Sequence, residues 1–110
     1  MKIAIINCLK ANEVCSGAGC LKALNSRTKH FEQYRDTDME LTAFARCNGC
    51  EAGIDDGFKE KLDRIINVGT EVCHVGVCTF RKDLGKECPV ITQALAYLQE
   101  HGIRCVRGTH

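Results

Sequence analysis

Nine cysteines and four histidines in a chain of 110 residues are the side chains here that could do chemistry, and their spacing narrows what that chemistry is. Cys47-Asn48-Gly49-Cys50 puts two residues between two thiols, so both sulfurs can turn toward one metal while the intervening amides donate to thiolate. The rival use of this spacing is a redox dithiol, which needs one of the cysteines at a helix N-terminus. The helix caps come later, at Asp55 or Asp56, which favours metal. Cys88 directly precedes Pro89 and faces the positive end of a helix dipole, a setting for a ligand, a redox thiol or an ordinary N-cap. Cys15 and Cys20 flank Ser16-Gly17-Ala18-Gly19, where Gly-x-Gly resembles a phosphate cradle but lacks the third glycine and the Lys-Ser/Thr of a nucleotide loop. A low-molecular-weight phosphatase loop starting at Cys8 would need Arg six positions on, where Val14 stands. No Ser/His/Asp set has supporting spacing.

Composition bounds the setting. The length suits one core and one domain, residues 1–110. Fifteen Lys+Arg against fourteen Asp+Glu leave a net charge of +1, without the basic excess that neutralises a phosphate backbone, so no nucleic-acid partner is expected. No apolar run approaches the roughly 20 residues that cross a bilayer. The opening Met1 to Asn7 is too short for a signal peptide, so a cytoplasmic protein with no membrane partner is expected. Cysteine at about 8% would suit a secreted disulfide scaffold. In a reducing compartment that density points to metal or redox chemistry instead. An odd number of cysteines also excludes complete intramolecular pairing.

These residues must be held by regular elements. Lys2 to Cys8 is a near-continuous apolar run of the kind that forms a strand covered on both faces. Ser16 caps a first helix running to about Phe31, with Leu21, Leu24 and Phe31 inward and Arg27, Lys29 and His30 toward its end. Glu40 to Arg46 reads as a second strand, and Asn48-Gly49 as the turn beyond it. Asp55 or Asp56 caps a helix with Phe58, Leu62, Ile65 and Ile66 on one face and a solvated face of Lys59, Glu60, Lys61, Asp63 and Arg64; Gly69 stops it. Val72 to Cys78 is a third strand. Pro89 opens a third helix with Val90, Ile91, Ala94, Leu95 and Leu98 inward, ended by Gly102, and Ile103 to Arg107 is a fourth strand. Tyr34, Asp36 and Asp38 fall in a connection and read as a solvated loop.

Strand-helix alternation with right-handed crossovers predicts an α/β fold of three layers, half of a doubly wound flavodoxin- or Rossmann-like domain. Its sheet would be parallel and four-stranded in the order 2-1-3-4. Open sheet edges in so small a domain leave room for a homodimer.

Ligands of such sheets bind beyond the carboxyl ends of the strands, and the soft ligands collect there. Strand one delivers Cys8, strand two Cys47 and Cys50, strand three Cys78, and strand four His110. Cys88 joins them from the mouth of the third helix, with Cys15 and Cys20 in the loop after strand one as the lesser candidates. Cys20, one position before Leu21, also suits half-buried packing. Cys73 and Cys105 fall inside strands and read as small buried hydrophobes. His74 lies mid-strand and reads as a hydrogen-bonded core group, while His30 and His101 end helices.

The same residues resemble a known family. Met1-Lys2-Ile3-Ala4-Ile5-Ile6-Asn7-Cys8, the stretch Cys15-Ser16-Gly17-Ala18-Gly19-Cys20-Leu21-Lys22-Ala23-Leu24, Phe31-Glu32-Gln33-Tyr34, His74-Val75-Gly76-Val77-Cys78-Thr79, Cys88-Pro89 and Gly108-Thr109-His110 are similar to the CGGC-domain family of small metal-binding proteins. The motif that names the family stands here as Cys47-Asn48-Gly49-Cys50, with Asn48 in place of Gly. The resemblance implies the fold and a metal site, with zinc the usual suggestion, and it supplies no reaction.

The expectation is a metal-binding protein whose ligands come from Cys8, Cys47, Cys50, Cys78, Cys88 and His110, most simply Zn2+, for which mixed thiolate and imidazole ligands are suited. An all-cysteine quartet would equally hold an iron-sulfur cluster. The alternative from another class is a redox enzyme or sensor cycling Cys88 or the 47/50 pair, and a binding module with incidental thiols is a third.

Overall fold

A computed structural model describes residues 1–110. Six strands and three helices follow in the order β1 (Lys2–Asn7), α1 (Ala18–Ser26), β2 (Glu40–Arg46), α2 (Asp56–Asn67), β3 (Val72–Val75), β4 (Phe80–Arg81), β5 (Lys86–Glu87), α3 (Pro89–Glu100) and β6 (Arg104–Arg107), with short 3-10 turns at Ala11–Glu13, Lys29–Tyr34 and Val77–Thr79. The four long strands form one sheet in the order β2-β1-β3-β6, parallel at every pairing. This is the expected 2-1-3-4 order, because β6 is the fourth strand of the main sheet. The β4-β5 hairpin is an insertion of two-residue strands, too short to leave a periodic signal.

The continuous apolar runs of β1 and β3 follow from burial on both faces. One face packs Ala4, Ile6, Cys73 and Val75 against Phe58, Leu62 and Ile65 of α2 and Ile91, Ala94, Leu95 and Leu98 of α3. The other packs Ile3, Ile5 and Val72 against Cys20, Ala23 and Leu24 of α1 and against Phe31 and Tyr34. The sheet is thus the middle of three layers.

Two helices start where the sequence places them. Asp55 caps α2 by accepting the Phe58 amide at 2.8 Å, and Pro89 opens α3 directly after Cys88. Other boundaries differ from the sequence expectation, by one residue at the end of β1 and the start of β6 and in three further places. The residue capping α1 is Gly17, at φ 80°, rather than Ser16. A side chain at position 17 would meet the Phe44 ring at 2.7 Å, so both backbone conformation and space select glycine there. α1 stops at Ser26 because Arg27 turns into the left-handed region at φ 54°, and Lys29–Tyr34 is a separate 3-10 turn rather than the end of one long helix. β3 stops at Val75, and Cys78 rides on the 3-10 turn that follows.

Candidate functional site

At the carboxyl end of the sheet, Cys8, Cys47, Cys50, Cys78 and Cys88 line one cavity of about 20 Å³ together with Thr79 and Arg81. That is room for about one water-sized occupant. The five cysteines arrive by four routes. Cys8 follows β1, and Cys47 and Cys50 follow β2. Cys78 sits on the turn after β3, and Cys88 is the residue before α3. Cys47 and Cys88 are buried, Cys8 and Cys78 half-buried, and Cys50 is exposed.

Three of these sulfurs are addressed by N–H donors. The Cys8 amide donates to Sγ of Cys78 and the Leu9 amide to Sγ of Cys47, both at 3.3 Å. The Arg81 guanidinium reaches Sγ of Cys50 at 3.8 Å. Donors of this kind compensate negative charge on sulfur. Burial pushes the Cys78 thiol up, the Cys8 amide opposes that shift, and negative charge on Cys8, Cys20 and Cys15 would add to it. Arg81 stays charged, held above its ordinary value by its hydrogen bond to Asp83. All nine cysteines are free thiols. As they stand, no three His, Cys, Asp or Glu side chains converge closely enough to hold an ion: the sulfurs line the walls of the cavity without meeting at its centre. The donor set itself is all soft sulfur around a space of single-atom size, which fits a thiophilic metal.

His110 does not join this group in the structure. Its Nδ1 lies 3.8 Å from Sγ of Cys20 and 3.0 Å from the Thr109 hydroxyl, which is itself 3.0 Å from the Cys20 sulfur. Asn7 also approaches Cys20, with Nδ2 at 3.7 Å. The six leading candidates therefore divide into five on the cavity and one beside Cys20. Cys15 is exposed at the loop and accepts from the Gly17 amide at 3.4 Å. Cys73 is fully buried and its thiol is pushed far up by burial, while Cys105 is pushed up to about 11 by the same cause. Both pack against the core on the α2/α3 face.

Three residues have structural roles that their spacing in the sequence does not reveal. Asn7 is buried with its Oδ1 unpartnered. Arg81 could not be linked to Cys50 without knowing that a hairpin returns it to the rim. Tyr34, expected in a solvated loop, is instead buried and hydrogen-bonded to His74; its place after Phe31 at helical spacing was the one available hint.

A three-layer α/β domain with a sulfur-lined cavity at the carboxyl rim of its parallel sheet is what the fold and the site define. The chain belongs to the CGGC domain family, whose family model matches residues 2–110. Comparison with curated proteins and with solved structures finds no match. No helix is long and apolar enough to cross a membrane.

Proposed function

We propose that this protein binds a thiophilic metal ion, Zn2+ in the first instance, through cysteines drawn from Cys8, Cys47, Cys50, Cys78 and Cys88. The observation that carries this reading is that five thiols from four separate points in the chain line one atom-sized cavity. Incidental cysteines would not collect so. Bound metal would supply Lewis acidity and hold its ligands as thiolates. The chain's own contribution is to bring the sulfurs to one place and to compensate their charge, with the Cys8 and Leu9 amides and Arg81 as donors. His110, beside Cys20, is a candidate for a second, exchangeable site rather than a sixth ligand of this one. The abundance of unpaired thiols supports a reducing, cytoplasmic setting.

Anaerobic purification followed by elemental analysis and an absorption spectrum tests the proposal. One zinc per chain, lost in the Cys47→Ser/Cys50→Ser variant, is the expected result. A broad band near about 400 nm with iron and sulfide would replace zinc by an iron-sulfur cluster. Less than about one metal per several chains, with rapid alkylation that added zinc does not slow, would sink the metal reading in favour of thiol redox chemistry.

A further inference from the structure

Behind the thiol cavity lies a much larger opening of about 590 Å³ beyond the ends of β3 and β6, lined by His30, Val75, Val77, Phe80, Lys82 and Arg107 among others. Its volume is that of a small-molecule site, and it opens on the carboxyl rim of the parallel sheet, the side on which such sheets bind ligands. We propose that this cleft binds a small arylcarboxylate, its ring against Phe80 and Val77 and its carboxylate toward Lys82.

The apolar half of the argument is that Phe80 and Val77 each leave 52% of their surface exposed although both line a concave opening. Aromatic and aliphatic walls of that kind gain most by covering a flat apolar body. The charged half concerns what is unpaired. Arg107 is matched by Glu87 at 2.9 Å, whereas none of the five ion pairs of the molecule uses Lys82, which stands exposed at the rim. The cleft therefore has one uncompensated cation, complementary to a monoanion. The His30 imidazole also lines the opening, seated in space left free by Gly108, where φ is 112° and any side chain would collide with the ring. Thr79 lines both this cleft and the thiol cavity, so the two sites stand back to back. The cleft is built from residues other than the cysteines, and the inference stands whether or not the thiols hold metal.

Titration of the purified full-length chain with naphthalene-2-carboxylate, followed by amide chemical shifts, tests it. Saturable shifts at Val77, Phe80, Lys82 and Gly108 are expected. The neutral naphthalene-2-carboxamide should bind roughly fivefold more weakly or worse, as should the carboxylate to Lys82→Glu. Acetate should give no saturable shift, and Phe80→Ser should weaken the aryl ligand while leaving the amide spectrum folded. Lys59→Glu, on the remote face of α2, should bind as the parent does. Equal affinity for acid and amide, undiminished binding to Lys82→Glu, or shifts mapping away from the cleft would each overturn the proposal.

Discussion

The side-chain amide of Asn48 donates to Oδ1 of Asp55 across 3.0 Å, so the residue between the two motif cysteines is tied to the residue that caps α2. Asn48 also accepts from Nζ of Lys61 at 2.7 Å, and Gly57 leaves the room this amide needs, since a side chain there would meet its Nδ2 at 2.9 Å. The left-handed turn falls on Gly49, at φ 105°, so Asn48 is free to use its side chain instead of its backbone tolerance. Asn in place of the family's Gly is thus a substitution that anchors the loop to the next helix.

Asn48→Gly, which restores the family spelling of the motif, should therefore lower the melting temperature by several degrees, through two lost hydrogen bonds and a more mobile loop. Asp55→Ala should do the same through the cap. The Asp55 carboxyl is held below the ordinary carboxylate range, chiefly by the Phe58 amide and then by Asn48. Its contribution is present at neutral pH and disappears as pH falls through the folded-state value, below about 4. Thermal melts at neutral pH check both variants; an unchanged or raised melting temperature for Asn48→Gly would show the anchor to be inert.

The His74 imidazole sits in a fixed tautomer. Its Nδ1 faces the Gly108 carbonyl at 2.7 Å, an acceptor only, so Nδ1 carries the proton. Nε2 must then accept from the Tyr34 hydroxyl at 2.8 Å, whose oxygen accepts in turn from Arg104 at 3.0 Å. Burial holds the His74 pKa below its ordinary 6.5, with the Gly108 bond opposing. The unfolded chain takes up a proton near 6.5 and the folded chain does not, so this stability is full above that pH and lost as pH falls below it. Proton NMR of the ring should show titration below 6.5; titration at or above that value contradicts the account. Tyr34→Phe, which leaves Nε2 without a donor, should cost about 1–3 kcal/mol in urea denaturation.

The four-stranded parallel order was legible because β1 and β3 are buried on both faces and so carry unbroken apolar runs, while α2 and α3 announce themselves by spacing, Asp55 and Pro89. Helix α1 was misread because the Arg27 backbone reverses hand without a glycine to mark it. The gathering of Cys8, Cys47, Cys50 and Cys78 followed from strand ends, since the topology of a parallel sheet sends every carboxyl terminus to one rim, and Cys88 followed from its place before Pro89 at the start of α3. What topology cannot express is which way a side chain at that rim turns. His110 ends the last segment of the rim and yet lies against α1 beside Cys20, and Arg81 reaches Cys50 only through a hairpin too short to predict.

Cys73 and the cavity cysteines should separate cleanly on substitution. Cys73 is fully buried opposite Cys105 on β6, among aliphatic side chains of α2 and α3. Cys73→Ser places a hydroxyl there and should destabilise the fold by about 1–3 kcal/mol, while metal content per folded chain stays at the parent value. Cys78→Ser should show the reverse pattern, a small effect on the metal-free protein and loss of bound metal. Paired denaturation and elemental analysis of the two variants decide it; metal lost from folded Cys73→Ser would place that thiol in the site after all.

Gly76 and Asn7 pack directly against each other beside Cys78. Gly76 has ordinary backbone at φ −64°, so glycine is not needed there for conformation. It is needed for space: a methyl at this position would collide with Oδ1 of Asn7 and sit 3.2 Å from Sγ of Cys78. Asn7 cannot retreat easily, because it is 1% exposed at the end of the central strand β1 and its Nδ2 is directed at Cys20. Gly76→Ala should therefore destabilise the fold by about 1–3 kcal/mol, the range for overpacking, and displace the turn that carries Cys78. Asn7→Ala alone removes a buried acceptor that has no partner and leaves a small void. Combined, the two changes compensate in volume, so the double variant should be more stable than the sum of the single effects predicts, with a coupling of about 0.5–3 kcal/mol. A denaturation cycle over the four proteins measures it. Strict additivity would mean that the Gly76 methyl is accommodated by movement of the 77–79 turn rather than resisted by Asn7.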